Sequence, residues 1–326
     1  MLSRESTGIP EAEARALVSD LDQTAKFESP EGGLLIAETS ADPATIEARV
    51  AFSRRVGLLV PDGHLDDEHI SLLRRGTYRV RVFGEGDGGE SEEAIISSVA
   101  EKVEGRVSLD SPDREVSAYV CGKGSKTYLA ITMPRSMRQG WATRRPRSRA
   151  FFHPSAIFPK LSRALVNLSG VQDGEAFLDP FCGTGSLLIE ASIIGAEPLG
   201  IDLARKMVRG ARRNSIKYGQ PWLGLIRADS RSLPIKGVGA VATDIPYGRA
   251  SSAGGLKSSD ILRSLLEGAP AVIPKGRKLV VMHPKSLEVG PIAEETGGLR
   301  VEQELEIYIH RTLTRTITVT RRDGGR

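Results

Sequence analysis

From Ala150 onward, short apolar runs alternate with longer amphipathic segments, and this alternation limits the chain to few folds. Repeated strand–helix units place parallel strands side by side with helices on both faces of the sheet. The closing segments, 299–310 and 313–321, predict a hairpin that adds an antiparallel strand. The expected class is therefore α/β, with strands predicted at 176–179, 198–201, 224–228, 239–243 and 278–282.

Four of these predicted strands end at, or are followed directly by, an aspartate: Asp179, Asp202, Asp229 and Asp244. Ligands of open parallel sheets bind at the carboxyl ends of the strands. A single aspartate in such a place is more often a helix cap or a loop residue. Four of them at successive strand ends indicate a ligand site.

The first strand end leads into a glycine-rich loop, Asp179-Pro-Phe-Cys-Gly-Thr-Gly, and then into a helix predicted from Ser186. Glycines let the backbone approach a ligand, and a helix start offers free N–H groups. Leu188 stands where a dinucleotide-binding fingerprint needs its third glycine, so the NAD pattern fails. An acid at the strand tip would repel a pyrophosphate, but it suits a cation such as the amino group or sulfonium of S-adenosylmethionine.

The next two aspartates suit the rest of such a cofactor. A carboxylate at Asp202 can accept hydrogen bonds from both ribose hydroxyls, and one at Asp229 can hold the adenine amino group. The predicted cofactor site also includes residues that flank these positions: Phe181, Gly183, Thr184, Gly185, Leu203, Ser230 and Asp244.

The fourth strand end, Asp244-Ile245-Pro246-Tyr247, has the groups that methylation of an exocyclic amine needs. A carboxylate and a backbone carbonyl that accept from the NH2 group localise the nitrogen lone pair and stabilise the positive charge that develops. An aromatic face holds a flipped base. Asp244, the Ile245 carbonyl and Tyr247 are predicted to fill these roles, and Pro246 stiffens the turn. The alternative is an ordinary Pro/Gly turn.

Positive charge is concentrated between residues 116 and 172, which hold ten bases and no acid. Lysine and arginine displace counterions from phosphates, so the segment favours contact with nucleic acid. A basic, solvated linker is the alternative explanation. The residues predicted to bind RNA are Lys123, Lys126, Arg135, Arg138, Arg144, Arg145 and Arg147.

Composition excludes several other classes. The two cysteines lie far apart, which excludes a disulfide scaffold, and the histidines have no metal-ligand spacing, so no metal is expected. The chain has no apolar run of membrane-spanning length and its first residues are polar. We expect a cytoplasmic protein without membrane contact.

These motifs together resemble the THUMP-domain RNA methyltransferases, most closely the archaeal tRNA (guanine-10-N2) methyltransferases. The resemblance is specific in DPFCGTG (179–185), TDIPYG (243–248) and the preceding RSRAFFHPSAIFPK (147–160). The segment HRTLTR (310–315) is similar to the family's C-terminal hairpin. Ile245 departs from the family pattern, which has proline at that position, but its carbonyl remains available.

The resemblance implies a Rossmann-like class I methyltransferase sheet, preceded by a smaller α+β region that contains a THUMP domain. It implies S-adenosylmethionine as cofactor, tRNA as partner, and Phe152, His153 and Pro154 as lining of the cofactor pocket. We expect a monomer with an N-terminal ferredoxin-like region (1–60), a THUMP domain (61–136), a basic linker (137–149) and a methyltransferase domain (150–326).

The predicted reaction is N2-methylation of guanosine 10 in tRNA, with dimethylation open because the product amine keeps a hydrogen. Alternatives are another tRNA guanine such as position 6, adenine-N6 methylation, and a non-catalytic RNA-binding protein. Cys182 as a nucleophile is disfavoured because transfer to nitrogen needs no covalent intermediate. His153 is either a general base or a packing residue.

Overall fold

The computed structural model describes residues 1–3, 8–30, 32–84, 91–121, 126–132, 140–219, 222, 224–233, 235–246, 257–310 and 313–323, without the side chains of 309, 310 and 313. The helices there are α1 (Ile9–Leu21), α2 (Pro43–Arg49), α3 (Asp67–Arg74), α4 (Glu92–Val103), α5 (Pro159–Leu168), α6 (Ser186–Ile193), α7 (Arg205–Tyr218), α8 (Ser258–Val272) and α9 (Val289–Thr296).

The strands in the same residues are β1 (Lys26–Glu28), β2 (Ile36–Glu38), β3 (Gly57–Val60), β4 (Thr77–Phe83), β5 (Arg106–Val107), β6 (Arg114–Cys121), β7 (Lys126–Thr132), β8 (Ala176–Asp179), β9 (Glu197–Asp202), β10 (Gly224–Arg227), β11 (Ala240–Asp244), β12 (Lys278–Pro284), β13 (Leu299–His310) and β14 (Leu313–Arg322). The chain divides into two compact units, residues 1–4, 21–48 and 53–139, and residues 5–20, 49–52 and 140–326.

The first unit has a five-stranded sheet in the order β3-β7-β6-β4-β5, in which β4 runs parallel to β5 and β6. Its core includes the buried side chains of Leu73, Tyr78 and Val103. Helix α4 begins after Ser91, whose hydroxyl accepts a hydrogen bond from the Ala94 N–H. This N-cap explains why the helix begins there.

The second unit is built on a seven-stranded sheet in the order β10-β9-β8-β11-β12-β14-β13. The first five strands are parallel, and β14 is antiparallel to both β12 and β13. Neighbours in a strand point to opposite faces. Phe177 accordingly packs in one core cluster with α5 and α6, and Leu178 in another with α8. The expected α/β sheet with an antiparallel terminal strand is confirmed.

Two segments of the predicted N-terminal region (1–60), residues 5–20 and 49–52, belong to the second unit. Glu13 on α1 is fully buried, and its carboxylate accepts from the N–H groups of Ala51 and Phe52, each at 2.8 Å. The Asn167 amide on α5 donates to the same carboxylate at 2.7 Å. Residues 5–20 and 49–52 therefore belong to the core around the large sheet. The predicted boundaries at residues 60, 136 and 149 and the THUMP assignment stay predictions.

Helix α5 was not predicted, and in the structure its polar side chains Ser162, Arg163 and Asn167 are buried together with its apolar ones. Within the part of the chain that the structure describes, no helix is both long and apolar enough to cross a membrane.

Candidate active site

The carboxyl ends of three adjacent strands bring Asp179 (β8), Asp202 (β9) and Asp244 (β11) to one edge of the large sheet. Asp179 lies on the central strand of the three and is 2% exposed. Its burial raises its pKa to about 7, and the negative charges of Asp244 and Asp202 act in the same direction. The three carboxyl groups therefore interact, as the strand-end pattern predicts.

Two donors hold the Asp179 carboxylate in place. The Thr243 hydroxyl on β11 donates to Oδ1 at 2.7 Å, and the Phe181 N–H donates to the same atom at 3.2 Å. Both bonds lower the pKa of Asp179, but burial outweighs them. A cation bound beside this carboxyl would favour its ionised form.

The glycine-rich loop is tied to the second strand end. The Gly183 N–H donates to Asp202 Oδ2 at 3.0 Å, and the Ala204 N–H donates to Oδ1 at 2.8 Å. Gly183 and Gly185 have φ values of +51° and +81°, in the left-handed region that favours glycine. A Cβ at Gly185 would also lie 2.5 Å from the Trp222 ring, whereas one at Gly183 would meet nothing within 4 Å among the described residues. Among the described residues, the loop therefore leaves open space beside Gly183.

The segment that precedes α5 reaches the same place. Burial raises the pKa of Asp202, and the charge of His153 lowers it, so the imidazole lies near this carboxylate. The His153 ring Nδ1 is hydrogen-bonded to the Ser155 hydroxyl at 2.7 Å. Phe152 and Pro154 are exposed beside it. The structure thus brings His153, one of the residues predicted to line the pocket, to the edge of the sheet where Asp202 lies.

Asp229 lies two residues beyond β10, and its environment differs from that of the other three aspartates. Arg231 donates to both carboxylate oxygens, which lowers the pKa of Asp229, and both side chains are exposed by more than two-fifths. The next residue, Ser230, is buried and donates to the Pro180 carbonyl in the glycine-rich loop. Ser230 therefore connects this strand end to the loop, while the Asp229 carboxylate faces water.

Hydrogen bonds hold both described residues that follow the fourth strand end, Ile245 and Pro246. The Ile245 N–H donates to the Met282 carbonyl at 3.1 Å, and the Pro246 carbonyl accepts from the Ser258 hydroxyl on α8 at 3.0 Å. Tyr247 lies outside the described residues. These bonds fix the turn between β11 and α8.

Asp244 is bound by an arginine to which sequence reasoning assigned no role. Arg315 on β14 donates from Nη1 to Asp244 Oδ2 at 2.7 Å and from Nη2 to Oδ1. Arg315 is 4% exposed. Burial raises the pKa of Asp244, and Arg315 lowers it. The pattern HRTLTR contained this residue, but its partner lies 71 positions away in sequence.

The connector that was predicted to bind RNA is partly buried. Arg144 donates from Nε to Glu190 Oε1 at 2.7 Å, and its guanidinium stacks on the Trp141 ring at 4.8 Å. Arg144 is 7% exposed, and its phosphate contact stays a prediction. Arg145, Arg147 and Lys126 are exposed, while Lys123, Arg135 and Arg138 lie outside the described residues.

A second connector arginine, Arg149, supports the glycine-rich loop. Its Nη1 donates to the Ser186 hydroxyl at 2.6 Å and to the Thr184 hydroxyl at 3.3 Å. The buried Asn214 amide on α7 donates to the Thr184 carbonyl at 2.9 Å. Arg149 belongs to the basic segment that favours contact with nucleic acid. In the structure it instead hydrogen-bonds to residues of the loop and of the helix that follows it.

Cys182, in the glycine-rich loop, and Leu203, directly after β9, are the remaining described residues of the region. Burial raises the pKa of the Cys182 thiol well above its ordinary value, which opposes a nucleophilic thiolate. Leu203, which follows Asp202, is nearly half exposed, and its carbonyl accepts from Arg227 Nε at 3.2 Å.

Known proteins match this chain closely. A family model described as an RMKL-like methyltransferase domain matches residues 146–315. The chain is 30% identical over 334 residues to a tRNA (guanine(10)-N2)-dimethyltransferase of Methanothermobacter thermautotrophicus, with 99% of this chain and 98% of the relative covered.

Two Thermus thermophilus proteins add to this. A tRNA (guanine(6)-N2)-methyltransferase is 29% identical over 220 residues, which cover 64% of this chain and 62% of the relative. The crystal structure of TrmN superposes with a TM-score of 0.50 over 98% of each chain at 19% identity, a likeness of fold.

Proposed function

This chain belongs to the RMKL-like methyltransferase family, and we propose that it transfers a methyl group from S-adenosylmethionine to the exocyclic N2 amine of guanosine 10 in tRNA. The observation that carries the proposal is the Asp244 carboxylate, held by Arg315 beside the glycine-rich loop and the Asp179 and Asp202 carboxyls. Such a carboxylate can accept from an NH2 group and stabilise positive charge on its nitrogen.

The residues present suit the cofactor. When bound, S-adenosylmethionine would supply a methyl group carried on a positively charged sulfur. A nitrogen lone pair can attack the methyl carbon as the carbon–sulfur bond breaks, and the electrons of that bond stay on the sulfur, which leaves as a neutral thioether. Asp179 is a buried carboxyl whose raised pKa a neighbouring cation would relieve. Asp202 keeps lone pairs for ribose hydroxyls after accepting two backbone N–H groups. The open space beside Gly183 leaves room for a ligand at the loop.

The chain's own residues then act on the base. Asp244 and the Ile245 carbonyl accept hydrogen bonds from the amine, which localises its lone pair, and Tyr247 offers the ring face on which the guanine stacks. Arg315 uses two N–H groups on Asp244, so each carboxylate oxygen still has a lone pair for the amine. The nitrogen gains the methyl group and releases a proton to solvent.

The remaining assignments belong to the same proposal. Residues 61–136 form a THUMP module that binds the tRNA. Its phosphates are contacted by Lys126, Arg145 and Arg147. The enzyme acts as a cytoplasmic monomer. Position 6 of tRNA is the second candidate, since one relative is named for that position. A second methyl transfer to the same amine is chemically open.

The test is methyl transfer from labelled S-adenosylmethionine to unmodified tRNA transcripts, followed by mapping of the modified nucleoside. We expect N2-methylguanosine at position 10, lost in Asp244→Asn and kept in Asp260→Asn, a matched change at an exposed carboxylate on α8. Label at position 6 would support the second candidate. Cofactor binding without transfer to any tRNA would contradict the proposal and favour a non-catalytic RNA-binding role.

A further inference from the structure

Helix α7 has an unusual distribution of charge. Its 14 residues include six bases and no acid. Gly210, Ala211 and Asn214 are its buried residues, and they turn one side of the helix toward the sheet. The cationic side chains are all exposed, and we call them the α7 basic face: Arg205, Lys206, Arg209, Arg212, Arg213 and Lys217.

The basic face has few internal partners. For Arg205 through Arg213, no carboxylate among the described residues lies within ion-pair distance. Some exposed cations elsewhere on the second unit are paired with acids, for example Arg263 with Glu295 and Lys285 with Glu306. Like charges three or four residues apart destabilise a helix, and cations in its first turn oppose the helix dipole. The face is therefore not arranged for the stability of α7.

The basic face continues at the carboxyl end of α7. Lys217 Nζ donates to the Ser148 carbonyl, and the Tyr218 hydroxyl donates to the Thr143 carbonyl at 3.0 Å. The same connector carries the exposed Arg145 and Arg147. At its other end, α7 begins at Arg205, three positions after Asp202 of the candidate active site. A helix of this length spans about 21 Å, enough to face several consecutive phosphates.

We propose that the α7 basic face, with Arg145 and Arg147, is a docking surface for the phosphate backbone of the tRNA substrate. The inference rests on the proposed function and adds a surface outside the catalytic groups. An array of exposed cations, on a helix that has no acid of its own, matches a polyanion by charge and does not require a base sequence. It would orient the tRNA along the methyltransferase unit while Asp244 acts on the flipped base.

This surface has a specific signature. Phosphate contacts change affinity and its salt dependence, whereas groups that act on the reacting atoms change the rate at saturation. Loss of the basic face therefore raises the Kd and KM for tRNA and leaves kcat at saturating tRNA and the Kd for S-adenosylmethionine unchanged.

The experiment compares two double variants that remove the same charge. Arg209→Gln/Arg213→Gln changes the basic face, and Lys236→Gln/Lys275→Gln changes two exposed lysines that precede β11 and β12. The Kd of each for an unmodified tRNA transcript is measured over a series of salt concentrations. We expect the first variant to bind roughly tenfold more weakly at about 0.1 M salt, with a salt slope lower by about 1 to 2. The lysine variant should bind like the wild type.

Three results would overturn the inference. One is equal Kd and salt slope for the two variants, in a wild-type protein that binds and methylates tRNA. Another is an unchanged Kd with a lower kcat, which would make α7 part of the catalytic machinery. Failure of the wild-type protein to bind tRNA at all would overturn the proposed function as well. Circular dichroism of both variants checks that α7 stays folded.

Discussion

Two aspartate–arginine pairs of the second unit are chemically alike and lie in opposite environments. Asp229 with Arg231 and Asp244 with Arg315 are each held by a guanidinium that donates to both carboxylate oxygens. The side chains of Arg231 and Asp229 are 47% and 41% exposed, whereas those of Arg315 and Asp244 are 4% and 17% exposed. Arg231 lowers the pKa of Asp229, whereas burial raises the pKa of Asp244 in spite of Arg315.

The same contact, a guanidinium that donates to both oxygens of a carboxylate, therefore has different effects in an exposed and in a buried place. An exposed pair is screened by water and contributes little to stability. A buried carboxylate loses its hydration, so the guanidinium that compensates it decides whether it is ionised. Arg315 is therefore a positioning residue for Asp244, while Arg231 adjusts a carboxylate that water would keep ionised by itself.

The largest expected effect is on the stability of the second unit. Arg315→Gln leaves the Asp244 carboxylate buried without its cation, and breaking such a pair costs about 3–5 kcal/mol. The measurement is urea unfolding followed by tryptophan fluorescence, because both tryptophans, Trp141 and Trp222, lie in this unit. Arg231→Gln is the matched control and should unfold near the wild-type midpoint. Equal destabilisation by the two variants would contradict the distinction.

A double variant sharpens this result. Asp244→Asn/Arg315→Gln removes both charges, so it should be more stable than Arg315→Gln alone. If the double variant is the less stable of the two, the arginine stabilises this region by packing rather than through the charge of Asp244.

The second effect is on the rate of methyl transfer. In Arg315→Lys, one ammonium replaces a two-point contact, and we expect kcat to fall roughly a hundredfold. Among the described residues, Arg315 and Asp179 interact electrostatically with Asp244, and His283 interacts in the same way with Arg315 and with Glu304. The hydrogen bonds from Arg315 contribute to lowering the pKa of Asp244. Because the lysine keeps the charge but not the two-point contact, that pKa rises, and the acidic limb of the kcat profile moves to higher pH. A lower kcat with an unmoved acidic limb would assign Arg315 a purely structural role.

The sequence predicted the parts of the site that depend on neighbours along the chain. The strand-end aspartates and the two glycines of the loop follow from local pattern, and all three strand ends at β8, β9 and β11 meet as expected. The pair of Asp229 and Arg231 is also local, since the two residues are two positions apart. For these, strand direction alone brings the groups together.

The parts that were missed depend on distant partners. Arg315 is 71 residues from Asp244, and Glu190 is 46 residues from Arg144. Charge in a sequence does not show which way a side chain points, so a basic stretch predicted phosphate contact for an arginine that is buried against Trp141. The location of Glu13 in the core of the second unit is likewise set by Asn167, 154 residues away.

A third, smaller effect concerns the pH dependence of cofactor binding. Asp179 is protonated below its pKa of about 7, and a cationic ligand favours the ionised form. The affinity for S-adenosylmethionine should therefore rise up to about tenfold per pH unit below about pH 7 and level off above it. Isothermal titration calorimetry over this range measures it. Asp179→Asn should bind weakly with a flat profile in this window, whereas Asp260→Asn should keep the wild-type profile.

The smallest effect is expected at the exposed pair. In Arg231→Gln, Asp229 stays ionised near neutral pH because it is exposed to water, so it can still accept from an adenine amino group. We expect the Kd for S-adenosylmethionine to change less than about threefold, with kcat unchanged. Asp229→Asn removes an acceptor oxygen and should raise that Kd more than Arg231→Gln does. If instead Arg231→Gln lowers kcat as strongly as Arg315→Lys, burial is not what separates the two pairs.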